Sequence, residues 1–146
     1  MLATAIVVNT ITEKSDIEKA FQLRRDVFMG EQGVTEEEEF DGLDNTCTHY
    51  LASVAGTVAG TVRLRTLEDG VQKIERLCVS KNYRGHGVGR KIMEKLLMDM
   101  KNNGTHTVHL YGQTHAVGFY QSFGFKAYGD EFMDARIPHR KLKLEL

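Results

Sequence analysis

Tryptophan is absent from these 146 residues, cysteine occurs twice and proline once. Each scarcity closes off a class of protein. Cys47 and Cys78 stand far apart, in none of the paired spacings of zinc ribbons or redox motifs, which excludes a disulfide framework and fits a reducing cytoplasm. The lone proline, Pro138, falls just before the expected last strand, and no linker, repeat or low-complexity segment interrupts the chain. No stretch approaches the ~18 apolar residues of a membrane span. The short apolar run Leu2 to Val8 has no basic flank, so neither signal peptide nor anchor is expected. A formal net charge of -1 gives no global pull toward nucleic acid or membrane, so any recognition by charge has to be local. What remains is a single cytoplasmic domain over residues 1–146, long enough to bury roughly 70% of the surface its unfolded form exposes.

Glycine, by contrast, is plentiful, and three of the fourteen glycines share one loop. Arg84-Gly85-His86-Gly87-Val88-Gly89 follows an apolar strand and opens into a helix whose Val88, Ile92, Leu96 and Met100 recur every fourth residue, with Gly104 as its stop. Glycines at 85, 87 and 89 remove side chains that keep an anion from the loop amides and from the first helical turn, which has no intrahelical partners. Arg84, Arg90 and Lys91 add full charges. A phosphate ester is the natural guest. A dinucleotide fingerprint would need glycine at position 90 or 92, where Arg90 and Ile92 stand, and a Walker loop would need Gly-Lys-Ser/Thr.

Around this loop the chain alternates. Leu2 to Val8 reads as a first strand, and Ser15-Asp16-Ile17-Glu18 as a capping box for a helix ending near Gly30. The segment from Glu31 to Asp44, with the run Glu36 to Glu39, reads as a loop or short helix with a solvated acidic face. Thr48 to Val54, Thr57 to Leu67 and Val71 to Val79 read as an antiparallel meander in which Val58, Gly60, Val62 and Leu64 alternate against Arg63 and Arg65. After the long helix come a strand at Thr107 to Gln113, a short helix at Val117 to Phe123, and strands at Phe125 to Tyr128 and Arg140 to Leu146. The long helix would place Val71 to Val79 and Thr107 to Gln113 parallel, and a slot opens if they diverge.

Arg84-x-x-Gly87-x-Gly89 after an apolar strand, with Phe119-Tyr120 and Gly124-Phe125 some thirty residues on, resembles the GNAT superfamily of acyl-CoA-dependent N-acetyltransferases. The resemblance covers nearly the whole chain. The Val27-Phe28 and Glu31-Gln32 stretch, Ile74-Glu75-Arg76-Leu77-Cys78-Val79 and Asp134-Ala135-Arg136-Ile137-Pro138-His139 are similar to the small bacterial ElaA/YjcF-like group. It implies a mixed α/β fold: a mostly antiparallel sheet of about six to seven strands flanked by about four helices, with a splayed parallel pair. It implies acetyl-CoA as co-substrate, with no metal. The pyrophosphate would rest on Arg84, Gly85, His86, Gly87, Val88, Gly89 and Arg90, and the pantetheine arm along the backbone of Leu77, Cys78 and Val79.

In this reading Tyr120 is the general acid for the departing thiolate, a phenol of reference pKa ~10 that keeps its proton at neutral pH. Glu75 is the first candidate to take a proton from the attacking amine, with His115 and His139 behind it, and Glu31 is placed at the acceptor. The bland readings are a packed core tyrosine at 120 and a structural salt bridge at Glu75. His106-x-x-His109 lacks a third ligand and does not make a metal site, and Cys78 reads as a small apolar strand residue. The acceptor is a small-molecule or peptide amine, with a homodimer allowed by family habit and no nucleic acid or membrane partner expected. The alternatives are a non-catalytic acyl-CoA-binding or sensing module, and an interaction protein whose glycine loop is only a turn.

Overall fold

The structure is a computed structural model that describes residues 5–146. The fold class implied by the resemblance is what it shows: one seven-stranded sheet of order β1-β2-β3-β4-β5-β7-β6, antiparallel except for the central β4–β5 pair. The strands are β1 (Ile6–Thr10), β2 (Thr48–Val54), β3 (Thr57–Glu68), β4 (Val71–Val79), β5 (Thr107–Gln113), β6 (Lys126–Asp134) and β7 (Ile137–Glu145). Four α-helices flank them: α1 (Lys14–Arg24), α2 (Glu36–Glu39), α3 (Val88–Asn102) and α4 (Val117–Gln121). Leu2 to Thr4 of the expected first strand lie outside the described residues.

The core forms where α3 lies on the sheet. Ile92, Met93, Leu96 and Met100 are at most 1% exposed and pack among Tyr50, Val62, Val108, Leu110 and Leu142. Gly60 of β3 lets α3 come this close, because a Cβ there would stand 2.8 Å from the Ile92 side chain. On the opposite face α1 packs on β2, β3 and β4, bringing Leu23 and Val27 against Cys78.

Several local expectations need correction. Ser15 does not cap α1. The helix starts one residue earlier behind Glu13, whose carbonyl already accepts from Asp16 and Ile17. The capping box of this region is Thr35-x-x-Glu38, where Thr35 Oγ1 accepts from the Glu38 amide (3.2 Å) and the Glu38 carboxylate accepts from the Thr35 amide (2.9 Å). After Arg24 the chain widens into a π-helical turn, Arg25–Glu31, which carries it to near the expected end at Gly30. Pro138 sits inside β7, not before it, and the stretch between the two expected last strands is taken up by β6 and β7 themselves, which run on to a tight hairpin turn.

Glu36 to Glu38 are exposed, as a solvated acidic face requires, but the last residue of the run and one arginine of β3 are not. Glu39 is 2% exposed and Arg63 is completely buried. Arg24 Nε donates to Glu39 at 2.7 Å and Arg24 Nη1 to Asp44 at 2.7 Å. Arg63 donates to Asp41, Asp44 and Glu75. Buried charges persist only when paired and hydrogen-bonded, so each carboxylate is used to seat a guanidinium and the reverse. The result pins α2 and its flanks onto β3 and β4.

Candidate active site

The two parallel strands hold together only at their first four pairs, Val71–Thr107 to Ile74–Leu110. Beyond Ile74 they part. The cause lies in β4: between the Arg63–Glu75 and Thr61–Cys78 pairs three steps along β4 face two along β3, and Arg76 takes the left-handed region at φ 60. This bulge turns β4 away from β5. Arg76 is held in that conformation by its own side chain, which donates to the Glu39 carbonyl (3.1 Å), the Glu38 carbonyl (3.3 Å) and Asp41 (3.4 Å).

The parting leaves a cleft of about 580 Å³, open to solvent and lined by β4 from Lys73 to Val79 on one side and by Tyr111, Gln113, His115 and Tyr120 on the other. Its far wall is the β6–β7 hairpin, which contributes Asp134, Ile137 and His139. At the end of β4 the glycine loop begins. Gly85 and Gly87 have φ of 80 and 85, and a Cβ at either would meet only open space, so the loop's approach surface is clear. Gly87 caps α3 without a side-chain bond and the first amide committed inside the helix is that of Lys91, which leaves the amides before it free for an anion. Val88 is buried below them, and His86 is exposed on the loop. Gly89 does other work: the space beside it is taken by the Phe119 ring at 3.4 Å, so it seats α4 on α3.

The charged residues of the loop face elsewhere. Arg84 donates through Nε to the Val79 carbonyl (3.0 Å) and forms a two-pronged pair with Glu31 (2.8 and 2.9 Å). Glu31, expected at the acceptor, is therefore tied to the glycine loop, and the bond from Arg84 holds its carboxyl below the usual range. Arg90 reaches Ser122 Oγ (3.1 Å) and lies over the Phe123 ring. Leu77 and Val79 are half-buried along the cleft, while Cys78 turns under α1, where burial drives its thiol pKa up and keeps it inert.

Tyr120 stands at the narrow part of the cleft, edge-on to Phe119 and Phe125. Its ring occupies the space a side chain at Gly112 would fill, 2.9 Å from the position of a Cβ. Burial pushes its phenol up to about 12, so it stays protonated throughout the neutral range.

Glu75 takes three cations: Arg63 at 3.0 Å, Arg65 at 2.9 Å and Lys73 at 3.4 Å. Burial alone would raise its pKa, but the Arg65 bond and the charges of Arg63 and Lys73 outweigh it and the net direction is down. So placed, Glu75 has the ion pairs of the bland reading, and its three cations hold its affinity for a proton down. The two histidines are better presented. His139 Nδ1 donates to the Ile137 carbonyl at 2.7 Å, which fixes the tautomer and leaves Nε2 with its lone pair. On the cleft wall His115 Nε2, Gln113 and Gln32 form a chain of bonds at 2.8 and 2.9 Å.

Two features lay outside sequence reasoning. Gly112 has no motif around it, and the hairpin turn Ala135–Arg136 takes positive φ without glycine or asparagine. Arg136 spans the cleft mouth to Glu38 (3.0 and 3.1 Å) and the Gly33 carbonyl (3.1 Å), and its bond holds the Glu38 carboxyl down at about 2.

A mixed sheet split at its one parallel pair, beside a glycine loop that opens a helix, is the architecture of an acyltransferase. The Acetyltransferase (GNAT) domain model matches residues 17–146, and the chain belongs to this family of N-acetyltransferases. It is 38% identical over 130 residues to the uncharacterized N-acetyltransferase YjcF of Bacillus subtilis, across 88% of this chain and 92% of that protein. Among solved structures it resembles ElaA of Escherichia coli, with a TM-score of 0.85 and 27% identity over 95% of this chain and 99% of that one. An acyl-CoA N-acyltransferase of Pseudomonas aeruginosa superposes with a TM-score of 0.83 at 26% identity, covering 97% and 99%.

Proposed function

We propose that the chain, acting as a single domain, moves an acetyl group from acetyl-CoA to a primary amine by direct attack, with both substrates in the cleft between β4 and β5. One observation carries this reading. The strands part after Ile74 and Leu110, and the β4 edge left unpaired toward β5 runs on to Val79 and into the glycine loop, so a strand edge and an anion site follow one another along the cleft. Coenzyme A has the matching order of parts: a diphosphate for Gly85 to Arg90 and an amide-bearing arm for the unpaired edge of Glu75 to Val79.

The amine nitrogen bonds to the acetyl carbon as the carbon–sulfur bond breaks. An amide of the β4 edge near Cys78 or Val79 is suited to polarise the carbonyl. Tyr120 donates a proton toward the departing sulfur, and His139 Nε2 accepts the proton lost by the amine, in place of the neutralised Glu75. Asp134, which has no ion pair among the described residues, lines the cleft where a cationic amine enters.

The test is thiol release from acetyl-CoA with an amine panel, run beside thermal shift. At a hundredfold excess over the dissociation constant acetyl-CoA should stabilise the fold by about 2.7 kcal/mol. Stabilisation with thiol release supports the enzyme. Stabilisation without release across polyamines, amino acids and peptide amines favours the sensing module, and neither removes the reading.

A further inference from the structure

The strands β5, β7 and β6 are covered on one face and open on the other. Val108, Leu110, Leu142 and Leu144 join the core beneath α3 and α4. The residues between them point to the opposite side, where α1 packs on β2, β3 and β4 and Gln32 bonds to Gln113 at the end of β5. Tyr111 and Tyr128 are each 42% exposed there.

Strand register sorts this face into rows. Arg65, Lys73, His109, Lys143 and Lys126 are successive partners across five strands, and Tyr111, Lys141 and Tyr128 form the next row. At a strand spacing of about 4.8 Å the first row is roughly 19 Å long, the reach of about six extended residues. Glu75 is already shared by Arg63, Arg65 and Lys73, and Glu145 meets Lys143 at 3.1 Å. Lys126 and Lys141 have no ion pair among the described residues. In a chain whose formal charge is -1, this face is a local cationic surface.

Its far end is the active-site cleft, since Lys73 and Tyr111 belong to both and His139 lies beside them. Tyr111 is no platform for a nucleobase: Lys73 Nζ covers its ring at 3.7 Å and Phe132 packs edge-on at 5.2 Å. Lysines on two adjacent rows, of which Lys126 and Lys141 carry no ion pair among the described residues, with one free aromatic, fit carboxylates better than stacked bases.

We propose that this face holds an extended acidic segment of a protein acceptor, whose lysine or N-terminal amine enters the cleft past Tyr111. The proposal rests on the acetyltransferase reading and narrows the acceptor to amines flanked by Asp and Glu. It is tested by fluorescence anisotropy on the full chain with coenzyme A present, using a labelled lysine peptide rich in Asp and Glu and its Asn/Gln counterpart. The acidic peptide should bind at least about tenfold more tightly, with a salt-sensitive affinity. The double substitution Lys126→Glu/Lys141→Glu should abolish that preference and leave stabilisation by acetyl-CoA intact. Equal binding of the two peptides, or a preference that survives the substitution, overturns the proposal. So does tighter binding of a single-stranded oligonucleotide of similar length, or a dimer that the double substitution dissolves. If the acidic peptide binds as described but thiol release fails with every amine, the enzymatic reading falls and the surface assignment stands.

Discussion

Arg76 breaks β4 and hands its guanidinium to Glu39, which lies 37 positions earlier in the chain and within 3.2 Å of Arg76 Nε. Glu39 in turn is held by Arg24, itself 1% exposed. The buried pair between α1 and α2 thus reaches through Arg76 to the bulge that separates β4 from β5. Stability and the donor site are linked through one carboxylate.

Glu39→Gln keeps the shape but leaves two guanidiniums short of a charge, and should cost about 3–5 kcal/mol in urea unfolding. Arg76→Gly and Arg76→Ala lose the same clamp, yet glycine accepts positive φ freely and alanine does not. The alanine variant should therefore be less stable by about 1–2 kcal/mol. Both should bind acetyl-CoA more weakly in thermal shift, because nothing then holds the edge of β4 away from β5. Equal stability of the two variants would show that the backbone at 76 is unstrained.

Tyr120→Phe keeps the ring in its seat and removes only the proton. Turnover should fall by about 10²-fold or more, with stabilisation by acetyl-CoA unchanged. Gly112→Ala attacks the same group from behind, since its Cβ would meet the Tyr120 ring at 2.9 Å. It should lower turnover while leaving the hydroxyl in place. Loss of turnover at Tyr120→Phe with full activity in Gly112→Ala would show that the ring has room to shift.

How much of this was legible depended on range. Elements with short-range signals were readable: the four-residue apolar repeat of α3, the turn at Ala55-Gly56 and the strand Val71 to Val79 fall where periodicity places them. The loop glycines were readable because positive φ at 85 and 87 has a residue signature. Glu39, the last of the acidic run, was misread because local composition cannot say that Arg24 and Arg76 converge on it from other elements, while Glu36 to Glu38 lie exposed as the composition suggests. The bulge was invisible for a related reason: arginine carries no signal for positive φ, and its conformation is imposed by distant carbonyls. Thr35-x-x-Glu38, in contrast, was there to be read as a capping box.

His139 and Glu75 can be told apart by separating turnover from stability. If His139 Nε2 accepts the amine's proton, His139→Gln should lower turnover by about 10²-fold while leaving stabilisation by acetyl-CoA unchanged. Glu75→Gln should lower stability in urea unfolding, because Arg63 and Arg65 lose their shared partner, while keeping most of the turnover. Full turnover in His139→Gln would move the role to His115.

The same buried network sets a pH dependence of folding whose sign can be worked out. The Arg63 bond holds Asp41 well below its usual 3.8, and Asp44 is lowered too, its burial outweighed by bonds from Arg24 and Arg63. Glu75 is held below 4.5, whereas Glu39, whose burial outweighs the pull of Arg76 and Arg24, is raised and works in the opposite direction, one carboxylate against three. A carboxylate depressed in the folded state binds fewer protons there than in the unfolded chain, so its stabilisation is full above its unfolded value and drains as pH falls through the folded one. Urea midpoints should therefore hold steady above about pH 5 and drop steadily below about pH 4. Arg63→Met sharpens the test. At pH 7 it takes a shared guanidinium from three carboxylates, leaving Asp41 to Arg76, Asp44 to Arg24 and Glu75 to Arg65 and Lys73, and should cost about 3 kcal/mol, whereas at low pH those groups take up protons and need the guanidinium less. The penalty of the substitution should shrink as pH falls; a constant penalty would mean that Arg63 contributes by packing and not by charge.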